Sequence, residues 1–261
     1  MVYHRAMALD SIDLQTAADS LGVHYQTAYK WVRSGRLPAD LIHGQYRINP
    51  AEVAKLRSAR SRPTKPRARQ PRSGDASLAS SVFESLLSGT EREVRVQLGS
   101  LLSQGWTLTE TVDRVVAPAL RQIGDEWAAG RVSVPHEHRA TAIIDRALGQ
   151  HHQARRGRRR GVAVVGAVSG ELHTLATSMA AIALREDGWS VHHLGAGVPA
   201  EDFLQFAREV EADLVVLTVT FARVRPLATS IARDLGAEGI RALIGGPGES
   251  LEELRQQARD T

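Results

Sequence analysis

The stretch GVAVVGAVSGELHTLAT, Gly161–Thr177, decides how the chain folds. A run of Val and Ala gives way, through Ser-Gly-Glu, to apolar residues spaced at three and four. A buried strand therefore hands over to a helix within one short turn. The same rhythm recurs downstream. WSVHHLG, DLVVLTVTF and IRALIGG are short β-rich runs, with ELHTLATSMAAIALREDG, PAEDFLQFAREVEA and RPLATSIARDLGAEG as helical segments between them. Alternating strand and helix predicts a parallel, doubly wound sheet over 160–261, flavodoxin-like or Rossmann-like, with helices on both faces. Such a sheet takes ligands at the carboxyl ends of its strands, near the switch point. SLEELRQQARD ends the chain where a fifth strand would be expected, and no run supplies that strand.

Upstream the period changes. Residues 76–153 are helical throughout, and four segments with short connections predict a helical bundle. Thr90 and Thr107 stand where N-caps belong, Thr107 with Glu110 as a capping box, and Gly105 and Gly130 stand at C-termini. Before the bundle, RSARSRPTKPRARQPRSG (Arg57–Gly74) carries many Arg, several Pro and no acid, so residues 57–75 read as an extended basic linker. A second basic spacer, ARRGRRRG, separates bundle from sheet.

The first block, 1–56, holds LQTAADSLGVHYQTAYKWV, which has helix-turn-helix spacing. Ala18 is small where two helices cross, Gly22 makes the turn, and Ala28 and Trp31 point into the core. The second helix then exposes Gln26, Thr27, Tyr29, Lys30 and Arg33, a set able to read base edges and grip phosphates of double-stranded DNA. LPADLIHGQYRI follows as a hairpin with His43-Gly44 at its tip, a wing that carries Arg47.

Composition narrows the function. The 261 residues include no cysteine, which excludes disulfides, thiolate metal sites and cysteine nucleophiles. No apolar run approaches membrane-spanning length and no secretory leader opens the chain, so a cytoplasmic protein away from membranes is expected. A net charge of +4 and a pI near 9.8 suit nucleic-acid binding. Within the sheet domain, Glu171 and His173 lie at the ligand-binding edge. A carboxylate there holds one imidazole nitrogen and leaves the other as a metal ligand.

Glu171-Leu172-His173 resembles the Asp/Glu-x-His-x-x-Gly motif of cobalamin-binding domains. The resemblance implies that His173 is the lower axial cobalt ligand and that the displaced nucleotide tail threads into the sheet domain. Thr218-Val219-Thr220 after the third strand, Gly245-Gly246 after the fourth, and Ser169 are the implied partners of that tail. Ala176 stands where the motif has Gly. The bundle, in turn, is similar to the cap of methionine synthase and of CarH-like light-dependent repressors, and the head resembles MerR-type and excisionase-type winged helix-turn-helix regulators. In the CarH-like group a Trp, nine residues and Glu-His cover the upper face of adenosylcobalamin. Trp127, Glu137 and His138 match them. Some light-sensing relatives place a cobalt-capturing His directly after the Trp; Ala128 stands there, leaving His136, His138 or water for that position. The resemblance implies a homo-oligomeric, cofactor-stabilised regulator (dimer or tetramer) that is not an enzyme. The alternatives are a corrinoid methyl carrier, or a regulator of this architecture that answers to a protein or another tetrapyrrole.

Overall fold

The structure is a computed structural model that describes residues 11–42, 44–59, 73–150 and 159–260. The chain divides into two compact units. One comprises Met1–Arg67, Gly124–Val134 and Phe221–Arg223; the other holds the remainder.

In the first unit the order is β1 (Ile12–Asp13), α1 (Leu14–Leu21), α2 (Tyr25–Arg33), β2 (Asp40–Ile42), β3 (Gln45–Ile48) and α3 (Pro50–Ala59). The Asp13 carboxylate accepts the Thr16 N–H at 2.7 Å and starts α1, and Gly22, at φ +62°, ends it. Ala17, Ala18 and Ala28 are fully buried, so α1 and α2 approach closely over Leu37, Ile48 and Val53. Trp31 packs against this core with Arg36 over its ring at 4.7 Å. The strands pair antiparallel in the order β1-β3-β2, which gives the expected wing. Its tip residue His43 lies outside the described residues. Helix α3 runs on to Ala59, so Arg57 is helical rather than linker.

The second unit holds most of the bundle: α4 (Ser73–Leu87), α5 (Glu91–Ser103), α6 (Leu108–Thr111), a π turn (Val112–Val116), α7 (Ala117–Ala128) and α8 (Val134–Gln150). Both Thr90 and Thr107 cap as expected, each in a capping box. The segment 107–130, read as one helix, is interrupted by the π turn. Pro118 cannot donate a backbone hydrogen bond, and just before it the ladder widens so that Ala117 N–H reaches Val112 O. The linker boundary at 75 also needs correcting. Asp75 sits inside α4, is only 7% exposed and forms a two-bond pair with Arg114 at 2.9 and 2.8 Å. A window scored for basic charge runs past the true helix start, because Ser73 and Gly74 carry no helical signal of their own.

Next come β4 (Val162–Val168), α9 (Thr174–Glu186), β5 (Ser190–Val198), α10 (Ala200–Glu209), β6 (Leu214–Thr218), α11 (Arg225–Ala237), β7 (Arg241–Gly245) and α12 (Leu251–Arg259). The sheet is parallel with order β5-β4-β6-β7, so its switch point lies between β4 and β6. Alternate residues of β4 serve opposite faces. Ala163 and Val165 meet Ala180, Ala181 and Leu184 of α9 and Leu254 of α12. Gly166 lies so near Phe203 of α10 that a methyl group there would come within 2.9 Å of the ring. No fifth strand occurs among the described residues; α12 packs beside α9 instead.

Backbone amides at two helix starts tie bundle to sheet within this unit. The Glu186 carboxylate accepts from Leu108 N at 2.6 Å and Thr109 N at 2.8 Å. Asp113, in the π turn, accepts from Leu251 N at 2.8 Å and Glu252 N at 3.0 Å at the start of α12. Burial pushes the Asp113 carboxyl above its ordinary value despite these two bonds.

Candidate functional site

Where β4 ends, the chain must turn away from the sheet before α9 can begin. Glu171 is fully buried in that turn, and a buried carboxylate needs donors. It has them. One oxygen accepts from His173 Nδ1 and from the backbone N–H groups of Leu172 (3.1 Å) and His173 (3.3 Å). The other accepts from Thr220 N at 2.7 Å, beyond the end of β6. Glu171 thus bridges the two strands that flank the switch point and fixes His173 beside it. With Nδ1–H donated to the carboxylate, Nε2 carries the lone pair of the ring, and the His173 side chain is 45% exposed.

The other expected residues of the sheet edge gather here. Thr218 closes β6 and is buried, and among the described residues its hydroxyl has no hydrogen-bond partner. Val219 N donates to Gly245 O at 2.8 Å, so the ends of β6 and β7 stay side by side. At Gly246 a methyl group would fall 2.8 Å from the Arg225 guanidinium and 2.9 Å from Val219 O. Only glycine fits that approach. Ser169 is half-buried with its N–H on Val198 O, and Ala176 is half-buried in the first turn of α9.

Sequence reasoning missed three features of this unit. The buried Thr177 hydroxyl lies 2.7 Å from His193 Nε2, linking α9 to β5. Arg225 stands over the Gly246 backbone. The Glu186 and Asp113 caps join segments roughly 80 and 140 residues apart, a distance over which no sequence period operates.

On the bundle, Glu137 and His138 form a pair, Oε2 to Nδ1 at 2.5 Å, at the start of α8. The His138 side chain is 74% exposed, and Thr141 donates to the second Glu137 oxygen at 3.3 Å. Trp127 falls in the other unit, with the head. Its indole Nε1 is buried, with no hydrogen-bond partner among the described residues.

The head departs from expectation. Lys30 is exposed, but Gln26, Thr27, Tyr29 and Arg33 are partly covered. The cause is a contact within the first unit. The Thr27 hydroxyl donates to Ala128 O, and the Tyr29 ring meets Trp127 edge-on at 6.2 Å. Arg33 Nη1 turns back to Tyr29 Oη at 3.4 Å, and on the wing Arg47 reaches Gln45 at 3.5 Å.

Residues 161–260 match the B12 binding domain family, residues 78–150 match a second family also described as a B12 binding domain, and residues 12–61 match a helix-turn-helix domain. The class defined by fold, site and these matches is a cobalamin-binding protein with a DNA-binding head. Among its relatives is a dimethylamine corrinoid protein of Methanosarcina acetivorans, 27% identical over 146 residues, spanning 53% of this chain and 68% of the relative. A corrinoid protein of Desulfitobacterium hafniense is 22% identical over 65% of this chain and 83% of its own length. The structure of the Methanosarcina barkeri monomethylamine corrinoid protein shares the fold with a TM-score of 0.60 at 13% identity, covering 71% of this chain and 99% of that one.

The residues present fit a corrinoid. Thr218 offers an unsatisfied buried hydroxyl, Gly246 admits close approach of backbone, and Glu171 sets a single imidazole for metal ligation. Among the described residues no group of three His, Cys, Asp or Glu side chains could hold a metal ion. One well-held His suits an ion that arrives with a macrocycle supplying its other ligands.

Proposed function

We propose that the chain is an adenosylcobalamin-dependent, light-responsive transcriptional regulator that binds double-stranded operator DNA as a homo-oligomer and performs no catalysis. The observation that carries this reading is the joining of the Glu171–His173 pair, in a B12 binding domain, to a helix-turn-helix head in one chain. Bound cobalamin would supply a cobalt–carbon bond that light cleaves. His173 would hold the cobalt through Nε2, and Glu171 keeps its ring oriented through Nδ1. Thr218, Thr220, Ser169 and Gly245-Gly246 receive the nucleotide tail. By the resemblance of the Trp and Glu-His spacing, Trp127 would meet the adenosyl group by stacking, and Glu137 and His138 would meet it by hydrogen bonding. In the dark the loaded oligomer presents several heads to DNA, and illumination releases it.

A second reading, a corrinoid methyl carrier, is favoured by the names of the relatives, which are corrinoid proteins. The head speaks against it, since a carrier serving methyltransferases has no use for one. Apoprotein mixed with adenosylcobalamin should show a base-off, His-ligated spectrum, and His173→Ala should lose that signature. Cofactor uptake with an unchanged spectrum in the variant would remove His173 as the ligand.

A further inference from the structure

The recognition helix α2 does not stand clear in this structure. Its face is seated on the turn between α7 and α8. The Thr27 hydroxyl donates to Ala128 O, and Tyr29 lies between Trp127, at 6.2 Å, and Tyr46 of the wing, at 5.8 Å. In the orientation that satisfies both its ends, the Gln26 amide donates to Val132 O at 3.3 Å and to Trp127 O. Lys30 and His24 complete the contact. The Lys30 ammonium comes within 3.7 Å of where a side chain on Gly124 would begin, and the His24 ring lies against Gly130, where a methyl group would meet it at 2.5–2.9 Å. Gly130, at φ +77°, is the residue that lets the turn fit beneath that ring.

Gln26, Thr27, Tyr29 and Lys30 are also the residues whose spacing suits a major groove, so one face has two occupants that exclude each other. We infer that the turn Trp127–Val132 is an intrachain docking surface for the DNA-reading face of α2, and that the docked head cannot bind DNA. Trp127 is the shared element. Its indole packs against Tyr29 in the docked state, and under the function proposed above it packs against the upper ligand of the cofactor. A ligand that engages Trp127 undocks the head, which converts cofactor occupancy into exposure of the reading face. This coupling rests on the cobalamin reading; the docking does not.

The test exploits a chain without cysteine. Cysteines are introduced as Thr27→Cys and Ala128→Cys, and the full-length apoprotein is treated with a short, reductant-cleavable bismaleimide. An intrachain cross-link should form, and the cross-linked protein should bind a labelled mixed-sequence duplex of about 30 base pairs, at low salt, at least about fivefold more weakly than after cleavage. Failure to cross-link, or equal affinity before and after cleavage, overturns the docking claim. Adding Trp127→Ala should reduce the cross-linking yield; an unchanged yield removes the Trp from the surface. Adenosylcobalamin should slow cross-linking in the dark. Uptake seen in the spectrum with unchanged cross-linking overturns the coupling. No uptake at all overturns the cobalamin reading and leaves the docking result standing on its own arms.

Discussion

A single carboxylate organises the sheet edge. Glu171 is fully buried, accepts backbone hydrogen bonds from both sides of the switch point and holds His173 by Nδ1. Glu171→Gln keeps the volume but places an amide where four donors converge, and the Thr220 N–H loses an ionised acceptor. Cobalamin affinity should fall about 10–100-fold, the range for partners of metal-bound histidines, as measured by spectral titration. Glu171→Ala should also lower stability by about 1–3 kcal/mol, because the donors are left buried and unpaired. At Gly246 any side chain meets the Arg225 guanidinium and the Val219 carbonyl, so Gly246→Val should weaken binding more than it lowers the melting temperature. The Glu171–His173 pair was legible in the sequence because it falls where the first strand of the sheet gives way to a helix, an edge expected to take ligands, whereas Gly245-Gly246 was singled out only by the resemblance to cobalamin-binding domains. Arg225 was not, since its relevance depends on two loops meeting.

Elements reveal what periodicity conceals. Strand and helix alternation gave the sheet and its order of elements, and the capping boxes of α5 and α6 were written in Thr90 and Thr107. The π turn escaped because the helical period runs unbroken past Pro118, and apolar spacing alone does not show that the ladder widens there. The packing of bundle on sheet escaped for another reason. It rests on Glu186 and Asp113 accepting from helix N-termini far away in the chain. Glu186→Ala should cost about 1–2 kcal/mol in denaturant unfolding, comparable to the loss of an N-cap.

Asp187 gives a pH signature at this scale. Burial raises its carboxyl, but the Arg259 hydrogen bond and the charges of Arg259, Arg160 and Arg255 outweigh that and hold it below its ordinary value. The unfolded chain therefore takes up this proton at a higher pH than the folded one. The stabilisation is complete above the ordinary carboxylate pKa and is lost as pH falls through it towards the folded value. Thermal melts from about pH 3 to 7 should show Asp187→Asn less stable at the upper end and with a shallower acid limb; parallel curves for variant and parent would contradict this.

At the scale of the whole chain, the order of head, bundle and sheet domain was read from helix-turn-helix spacing and from changes in hydrophobic period, with the basic linkers as punctuation, and the matches at 12–61, 78–150 and 161–260 fall in the same order. What helical spacing missed is that the second helix of the head meets the turn after α7 with Thr27 and Tyr29, two of the residues expected to be exposed. Exposure of α2 residues was inferred from helical spacing, which places a face but does not say what covers it. Among the described residues no helix is long and apolar enough to cross a membrane.

The most direct measurement is a DNA mobility shift on a mixed-sequence duplex library with apoprotein, protein loaded with adenosylcobalamin in the dark, and the same loaded sample after green light. The account predicts that retained DNA rises sharply on loading and falls back on illumination, with elution volume changing in step. Retention that is equal in all three samples, despite spectroscopically verified cofactor uptake, would contradict a cobalamin-gated regulator.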